Sequence, residues 1–166
     1  GNVNEIVFLG DIKHNFGKVL KQEIGDFEEL IDFLEMKTGK IILIKGNHDK
    51  TIDFMVKDNK IEVRDYYING NCCFLHGDRD FIEIYDKKIK YWVIGHIHPA
   101  IKLQKGSKSE KYKCFLIGEY KKKTIICVPS FVDYFEGSDI MSNKLKCAWD
   151  LDIENFNIKI VGKDTE

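Results

Sequence analysis

Tyr91-Trp92-Val93-Ile94-Gly95-His96-Ile97-His98-Pro99 is the stretch on which the reading of this chain turns. Four apolar residues in a row, a tryptophan among them, read as a buried strand. Gly95 lets the backbone come close to a ligand, and Pro99 interrupts a ladder of strand hydrogen bonds. On an extended segment His96 and His98 would point to the same side, because strand side chains alternate with period two. Neutral imidazole is the commonest metal ligand among side chains. Taken alone, the pair also reads as two exposed histidines at a strand end. The positions of the other three histidines separate the two readings.

Upstream the same pattern recurs. Glu5-Ile6-Val7-Phe8-Leu9 is an apolar run ending in Gly10-Asp11, and Ile41-Ile42-Leu43-Ile44 runs into Lys45-Gly46-Asn47-His48-Asp49. Between them, Val19, Leu20, Ile24, Phe27, Leu30, Ile31, Phe33 and Leu34 mostly fit one helical face over residues 18–36, with Gly39 as a stop. Strand, helix, strand predicts a βαβ unit with a parallel pair, whose ligands sit at the carboxyl ends of the strands. Tyr66-Tyr67-Ile68, an Asn69-Gly70 turn and Cys72-Cys73-Phe74-Leu75 predict a hairpin leading into His76-Gly77-Asp78. A short amphipathic stretch runs from Phe81 to Ile89. Further strands are expected at 101–104, 113–119 and 124–128, and near 146–153 and 156–161.

Asp11, Asn47, His48, His76, His96 and His98 therefore all sit just past apolar runs, most of them beside a glycine. One such coincidence would mean little, whereas four in succession are hard to attribute to core packing. Mixed nitrogen and oxygen donors suit manganese, iron or zinc; calcium prefers an all-oxygen shell.

Gly10-Asp11, Gly46-Asn47-His48-Asp49, His76-Gly77-Asp78 and Gly95-His96-Ile97-His98 resemble, in order, the second to fifth motifs of the calcineurin-like metallophosphoesterases. Gly10 through Gly17, Gly95 through Ile101 and Val128-Pro129-Ser130-Phe131 look like the ICC-like phosphoesterase subgroup of archaea and bacteria. Some bacterial relatives of that subgroup are associated with DNA ligases and are called damage-response nucleases. The resemblance implies one domain over residues 1–166, an α/β fold built as a four-layer αββα sandwich of two mixed β-sheets, and a site for two divalent metal ions at its strand ends.

In that resemblance Asp11 would bridge both metals, Asn47, His76 and His96 would complete the shell of the second, and His98 would bind the first. Manganese is the expected metal, with iron, zinc or nickel as the other candidates. His48 would act as general acid or transition-state stabiliser, with Asp49 orienting its ring. His14 and Asp78 are candidates for supporting a ligand or touching substrate, and Asp78 also for stabilising the turn after His76. The implied reaction is hydrolysis of a phosphate ester, a phosphodiester or nucleic acid before a monoester, by in-line attack of a metal-activated water. Two cations about 3.5–4 Å apart bind phosphate oxygens and acidify water, and a nearby imidazole protonates the departing alkoxide.

One departure bears on this. The family's first motif, Asp-x-His after the first strand, would lie well before Gly10, yet none of residues 1–9 is aspartate or histidine. The sheet is accordingly expected to lack its first strand, leaving an unpaired edge, and the domain to be incomplete at its N-terminus. The first metal keeps only Asp11 and His98, which raises the alternative of a metal-binding domain without catalysis. Asp150-Leu151-Asp152 is a weak substitute, since Asp-x-Asp on a late strand is usually a solvated face.

Composition bounds the remaining choices. No apolar run approaches the ~18–20 residues of a membrane span, and no signal pattern opens the chain, so a cytoplasmic location without a membrane partner is expected. Five cysteines without Cys-x-x-Cys spacing are expected as buried free thiols, which argues against a structural zinc site. The net charge of −1 hides an asymmetry: Lys102–Lys123 holds eight lysines and two glutamates, so that segment carries +6 and the remainder −7. The segment reads either as a solvated lysine-rich hairpin or as a surface for a polyanion such as nucleic acid. Phe131 to Asp139 reads as a loop over the site that shapes substrate access. A dimer is compatible with all of this.

Overall fold

The computed structural model describes residues 3–12, 21–49, 52, 56, 61–132, 134–142 and 145–162. His14 and the first residues of the expected helix lie outside them. The chain divides into two compact units, one of Gly1–Tyr67 with Phe74–His76 and one of Ile68–Cys73 with Gly77–Glu166.

In the first unit β1 (Ile6–Phe8), α1 (Lys21–Glu35) and β2 (Ile41–Ile44) form the expected βαβ arrangement. β1 runs parallel to β2 with Ile6 opposite Ile41 and Phe8 opposite Leu43. A third parallel strand, β3 (Ile61–Arg64), lies on the other side of β2. All four residues of β2 are buried, which is why it reads as an unbroken Ile/Leu run rather than an alternating one. β3 is short and went unmarked in the sequence, although Ile61 and Val63 alternate with Glu62 and Arg64. Glu62 meets Lys40 at 3.1 Å and also pairs with Arg64. Phe27 and Ile31 are buried among Ile41, Leu43 and Ile52, with Ile24 and Leu34 packed beside them. Residues 24, 27, 31 and 34 are the i, i+3, i+7 stripe of a helix facing a core. Leu30 and Phe33, counted to that face in the sequence, are 41% and 52% exposed, so the stripe is narrower than expected.

Most of the second sheet belongs to the second unit. Its strands are β4 (Tyr66–Asn69), β5 (Cys72–Leu75), β6 (Tyr91–Ile94), β7 (Pro99–Lys105), β8 (Lys108–Tyr120), β9 (Lys123–Cys127), β10 (Ser138–Asp139) and β11 (Asn157–Ile160). They lie in the order β10-β7-β8-β9-β6-β5-β4, with β11 on β8. The β4–β5 hairpin forms as predicted, but its turn lies one residue further on than Asn69-Gly70, at Gly70-Asn71, with Gly70 taking φ +59°. In the second unit Trp92 is fully buried between the rings of Trp149 and Tyr85, centroids 5.1 and 5.2 Å away, and its indole N–H donates to the Ile84 carbonyl at 3.1 Å.

Four expectations are refined or corrected here. The lysine-rich hairpin is longer than 101–104 and 113–119: its strands reach the turn at Gly106, and residues 102–110 are all exposed, so no buried face marks them. Residues 146–152 form no strand; this segment follows the buried Trp149 side chain rather than a ladder, and a short 3₁₀ turn, Ile153–Asn155, comes after it. Between Phe81 and Ile89 only Ile82–Tyr85 is helical, as a 3₁₀ turn. Lys123, placed in the basic surface by sequence, is 7% exposed, and its ammonium donates to the carbonyls of Tyr85, Asp86 and Ile89 at 3.4, 2.6 and 2.7 Å.

The architecture is thus mixed α/β, with two sheets and, among the described residues, a single α-helix. All five cysteines are free, and Cys73, Cys114 and Cys127 are buried. No helix among the described residues is long and apolar enough to cross a membrane.

Candidate metal centre

Because β1 and β2 are parallel neighbours, their carboxyl ends open side by side, bringing Gly10-Asp11 next to Gly46-Asn47-His48-Asp49. Only glycine permits that approach. Gly10 takes φ +88°, and a Cβ there would stand 2.7 Å from both the Gly46 nitrogen and His76 Nδ1. Asp11 itself takes φ +54°, a left-handed conformation that costs a residue with a side chain on the order of 1–3 kcal/mol.

Hydrogen bonds hold Asp11 in that state. Asp49, 2% exposed, accepts the Asp11 N–H at 2.7 Å and the Gly46 N–H at 3.0 Å, both at Oδ2. Asp11 Oδ1 accepts the His48 N–H at 2.9 Å. Its other oxygen, Oδ2, lies 3.1 Å from Nε2 of the buried His76. Burial pushes the Asp11 carboxyl up, but the His76 hydrogen bond and charge, with the His48 N–H, outweigh it and hold the group below the usual carboxylate range. Asp11 therefore stands ready as an anionic ligand.

His76 is oriented from behind. Its Nδ1 lies 2.6 Å from the Leu9 carbonyl, which can only accept, so Nδ1 carries the proton. In the neutral ring Nε2 is then a lone pair, and it faces Asp11 Oδ2 at 3.1 Å and Asn47 Oδ1 at 3.2 Å. Three acceptors pointing together repel unless a proton or a cation stands among them. Donors cis to one another on a cation, each about 2.0–2.2 Å from it, sit roughly 3 Å apart. One imidazole, one carboxylate and one amide oxygen thus fit a divalent ion of the manganese-to-zinc range.

His96 and His98 belong to the second unit and do not continue β6. They take φ +59° and +49°, and the Gly95 carbonyl accepts the Ile97 N–H at 2.6 Å, so period-two alternation does not govern where their rings point. Ile97 between them is buried. His98 lies against the loop that follows β9: its ring meets Phe135 edge-on with centroids 5.1 Å apart, and its carbonyl accepts the Ser138 N–H at 2.7 Å. Asp78 pairs with Arg79 at 3.5 Å.

Two contributors escaped the sequence reading. The Leu9 carbonyl orients His76, and no side-chain motif advertises a carbonyl. Asp49, expected to orient the His48 ring, also accepts two backbone N–H groups, those of Asp11 and Gly46. The signal for that second task was its position, an aspartate three residues after Gly46, where Asp commonly accepts backbone N–H groups in a turn.

No family model matches the sequence, and no curated protein matches it. Among solved structures, the crystal structure of the nuclease MPE of Pseudomonas putida is similar, with a TM-score of 0.60 at 20% identity over 82% of this chain. The chain spans 61% of that structure's length. A double mutant of Vps29 from Entamoeba histolytica gives a TM-score of 0.40 at 13% identity, covering 78% of this chain and 59% of its own. The class of fold is therefore metallophosphoesterase-like, a mixed α/β arrangement of two sheets with few helices.

Proposed function

We propose that this chain is a metal-dependent phosphoesterase that cleaves phosphodiesters, nucleic acid foremost, rather than monoesters. The observation that carries the proposal is the convergence of Asp11 Oδ2, Asn47 Oδ1 and His76 Nε2 at the carboxyl ends of parallel strands. The likeness in fold to a nuclease and the exposed Lys102, Lys105, Lys108, Lys121 and Lys122 support the choice of substrate class.

In this reading Asp11, Asn47, His76 and His96 hold one divalent cation and Asp11 with His98 the other, manganese being the favoured ion. When bound, the cations supply Lewis acidity toward phosphate oxygens and make water acidic enough to attack at neutral pH. The chain's own groups prepare the site. The Leu9 carbonyl keeps the His76 lone pair turned inward, and Asp49 holds Asp11 in its left-handed state. The bond from the His48 N–H to Asp11 fixes where His48 leaves the backbone, from which its imidazole protonates the departing alkoxide. Asp49 serves that ring as well, while Asp78 and His14 support the ligands or the phosphate. Five unpaired cysteines suit the reducing cytoplasm.

A second reading, a domain that binds metal without turnover, would follow if Asp11 and His98 were the whole of the first cation's donor set. Metal content and hydrolysis of bis-p-nitrophenyl phosphate with Mn²⁺ separate the two. Two ions per chain and hydrolysis lost in Asp11→Ala and His96→Ala are expected. Activity that survives both substitutions sinks the site assignment, and one ion without turnover selects the second reading.

A further inference from the structure

His98 takes φ +49°, a left-handed conformation that a residue with a side chain keeps only where its surroundings impose it. Pro99 sharpens the point, because the ring of a proline pushes the residue before it toward extended backbone. Left to itself, His98 would relax to a strand and its imidazole would point elsewhere. Something in the second unit holds it.

The holder is the end of the loop between β9 and β10. The Phe135 ring meets the His98 ring edge-on, centroids 5.1 Å apart and planes at 71°. The Ser138 N–H donates to the His98 carbonyl at 2.7 Å, and Ser138 and Asp139 then run parallel to β7, opposite Pro99 and Ala100. Between these contacts Gly137 takes φ +86°. A Cβ there would stand 2.6 Å from the His98 carbonyl oxygen and 3.0 Å from the Ala100 Cβ, so only glycine lets the loop come this close.

The loop is in turn fastened to β8. Lys113, directly opposite Ala100, donates through Nζ to the carbonyls of Ser130, at 3.0 Å, and Val132. Lys111 Nζ donates to the Gly137 carbonyl at 3.4 Å and pairs with Glu136 at 3.4 Å. Ser130 Oγ donates to the Phe135 carbonyl at 3.1 Å. The contacts close a circuit from β7 through β8 and the loop back to His98. Two lysines of the basic segment are engaged in it.

We infer that Phe135, Gly137 and Lys113 are positioning residues, which through this loop hold His98 in the left-handed conformation from which its imidazole reaches its cation. The assignment rests on the metal-dependent reading above, which makes His98 a ligand. Groups that orient a metal-binding histidine raise metal affinity by roughly 10–100-fold, since the ring's freedom is removed before the ion arrives.

Mn²⁺ alone is the probe, added to the metal-free full chain and followed by loss of the free ion's electron paramagnetic resonance signal. His98→Ala is expected to remove one of two binding steps. Phe135→Ala should weaken that same step roughly tenfold and leave the other unchanged, and Phe135→Tyr, which keeps the ring, should restore it. Gly137→Ala should weaken it likewise, whereas Phe131→Ala, in the same loop but wholly exposed, should not. Phe135 is 40% exposed, so its truncation leaves the fold standing, which thermal melts check. A merely structural role would lower Tm without selecting one step. In EDTA, Lys113→Met should shift the His98 imidazole signals in ¹H–¹⁵N spectra through the loop it releases; signals that stay in place overturn the circuit. If His98→Ala loses a step while Phe135→Ala and Gly137→Ala bind as the unsubstituted chain does, the positioning role falls and the ligand assignment stands. Two undiminished steps in His98→Ala overturn the ligand assignment itself.

Discussion

Asp49 and Asp11 are joined through the backbone: one buried carboxylate oxygen of Asp49 accepts the Asp11 N–H at 2.7 Å and the Gly46 N–H at 3.0 Å. That oxygen ties the ends of β1 and β2 together and holds Asp11 where its own carboxylate faces His76. Asp49→Ala leaves two N–H groups without this acceptor, and charged hydrogen bonds of this kind contribute on the order of 1.5–3 kcal/mol each. A fall in Tm of roughly 5–15 °C in differential scanning fluorimetry, with weakened Mn²⁺ binding, is expected. Asn offers one oxygen to the same two donors, so Asp49→Asn should recover most of the stability. If Asn proves as damaging as Ala, the clamp is not the main task of Asp49.

Acid should release this arrangement. Asp11 is held below the usual carboxylate range in the folded chain, so it contributes stability that is present above the unfolded value near ~3.9 and lost as pH falls through the lower folded value. The Tm difference between the metal-free protein and Asp11→Asn is expected to shrink on acidification below about pH 4. A difference that stays constant across that range would mean the Asp11–His76 contact carries no net charge stabilisation.

Metal should stabilise the fold by filling the space among the three acceptors. At a free Mn²⁺ concentration of 100 times Kd the gain is about 2.7 kcal/mol, a rise in Tm of roughly 5–10 °C. EDTA should remove it and His76→Ala should abolish it. A His76→Ala protein that still gains the full shift would place the ion elsewhere.

Burial pushes the thiols of Cys73 and Cys127 up to about 12 and that of Cys114 to about 11. Raised values mean stability that is intact below the ordinary thiol value of roughly 8.5 and declines as pH rises toward the folded ones. Native protein at pH 8 should give Ellman's reagent rapid access to no more than Cys72 and Cys147, and all five should react in guanidinium. Rapid native labelling of Cys127 would contradict its burial.

Lys123→Met would strand three carbonyls that now share one ammonium, and a loss of about 2–4 kcal/mol is expected. Lys122→Ala, at an exposed turn position, should stay within about 0.5 kcal/mol. Equal effects in thermal melts would show that Lys123 belongs to the surface after all. Substitutions meant to test nucleic-acid binding therefore belong at exposed lysines such as Lys102, not at Lys123.

Much of the frame was legible because local pattern and long-range packing agree there. Ile41–Ile44 reads as a buried strand, residues 24, 27, 31 and 34 fall within a predicted helical face that the structure narrows, and the hairpin is read with its turn one residue early. The lysine-rich ribbon was half hidden, since exposed strands carry no apolar alternation, and residues 146–152 misled because a docked Trp149 imitates a strand's apolar content.

The chain by itself determined which residues could be ligands: Asp11, Asn47, His48, His76, His96 and His98 each follow an apolar run, and runs of that kind end where side chains reach a sheet's rim. What only the tertiary structure decided is how those groups are presented. The left-handed conformation of Asp11, held through its N–H on Asp49, and the Leu9 carbonyl behind His76 depend on contacts between residues far apart in sequence. Backbone donors and acceptors are the same at every position, so no residue type announces where the fold will use them.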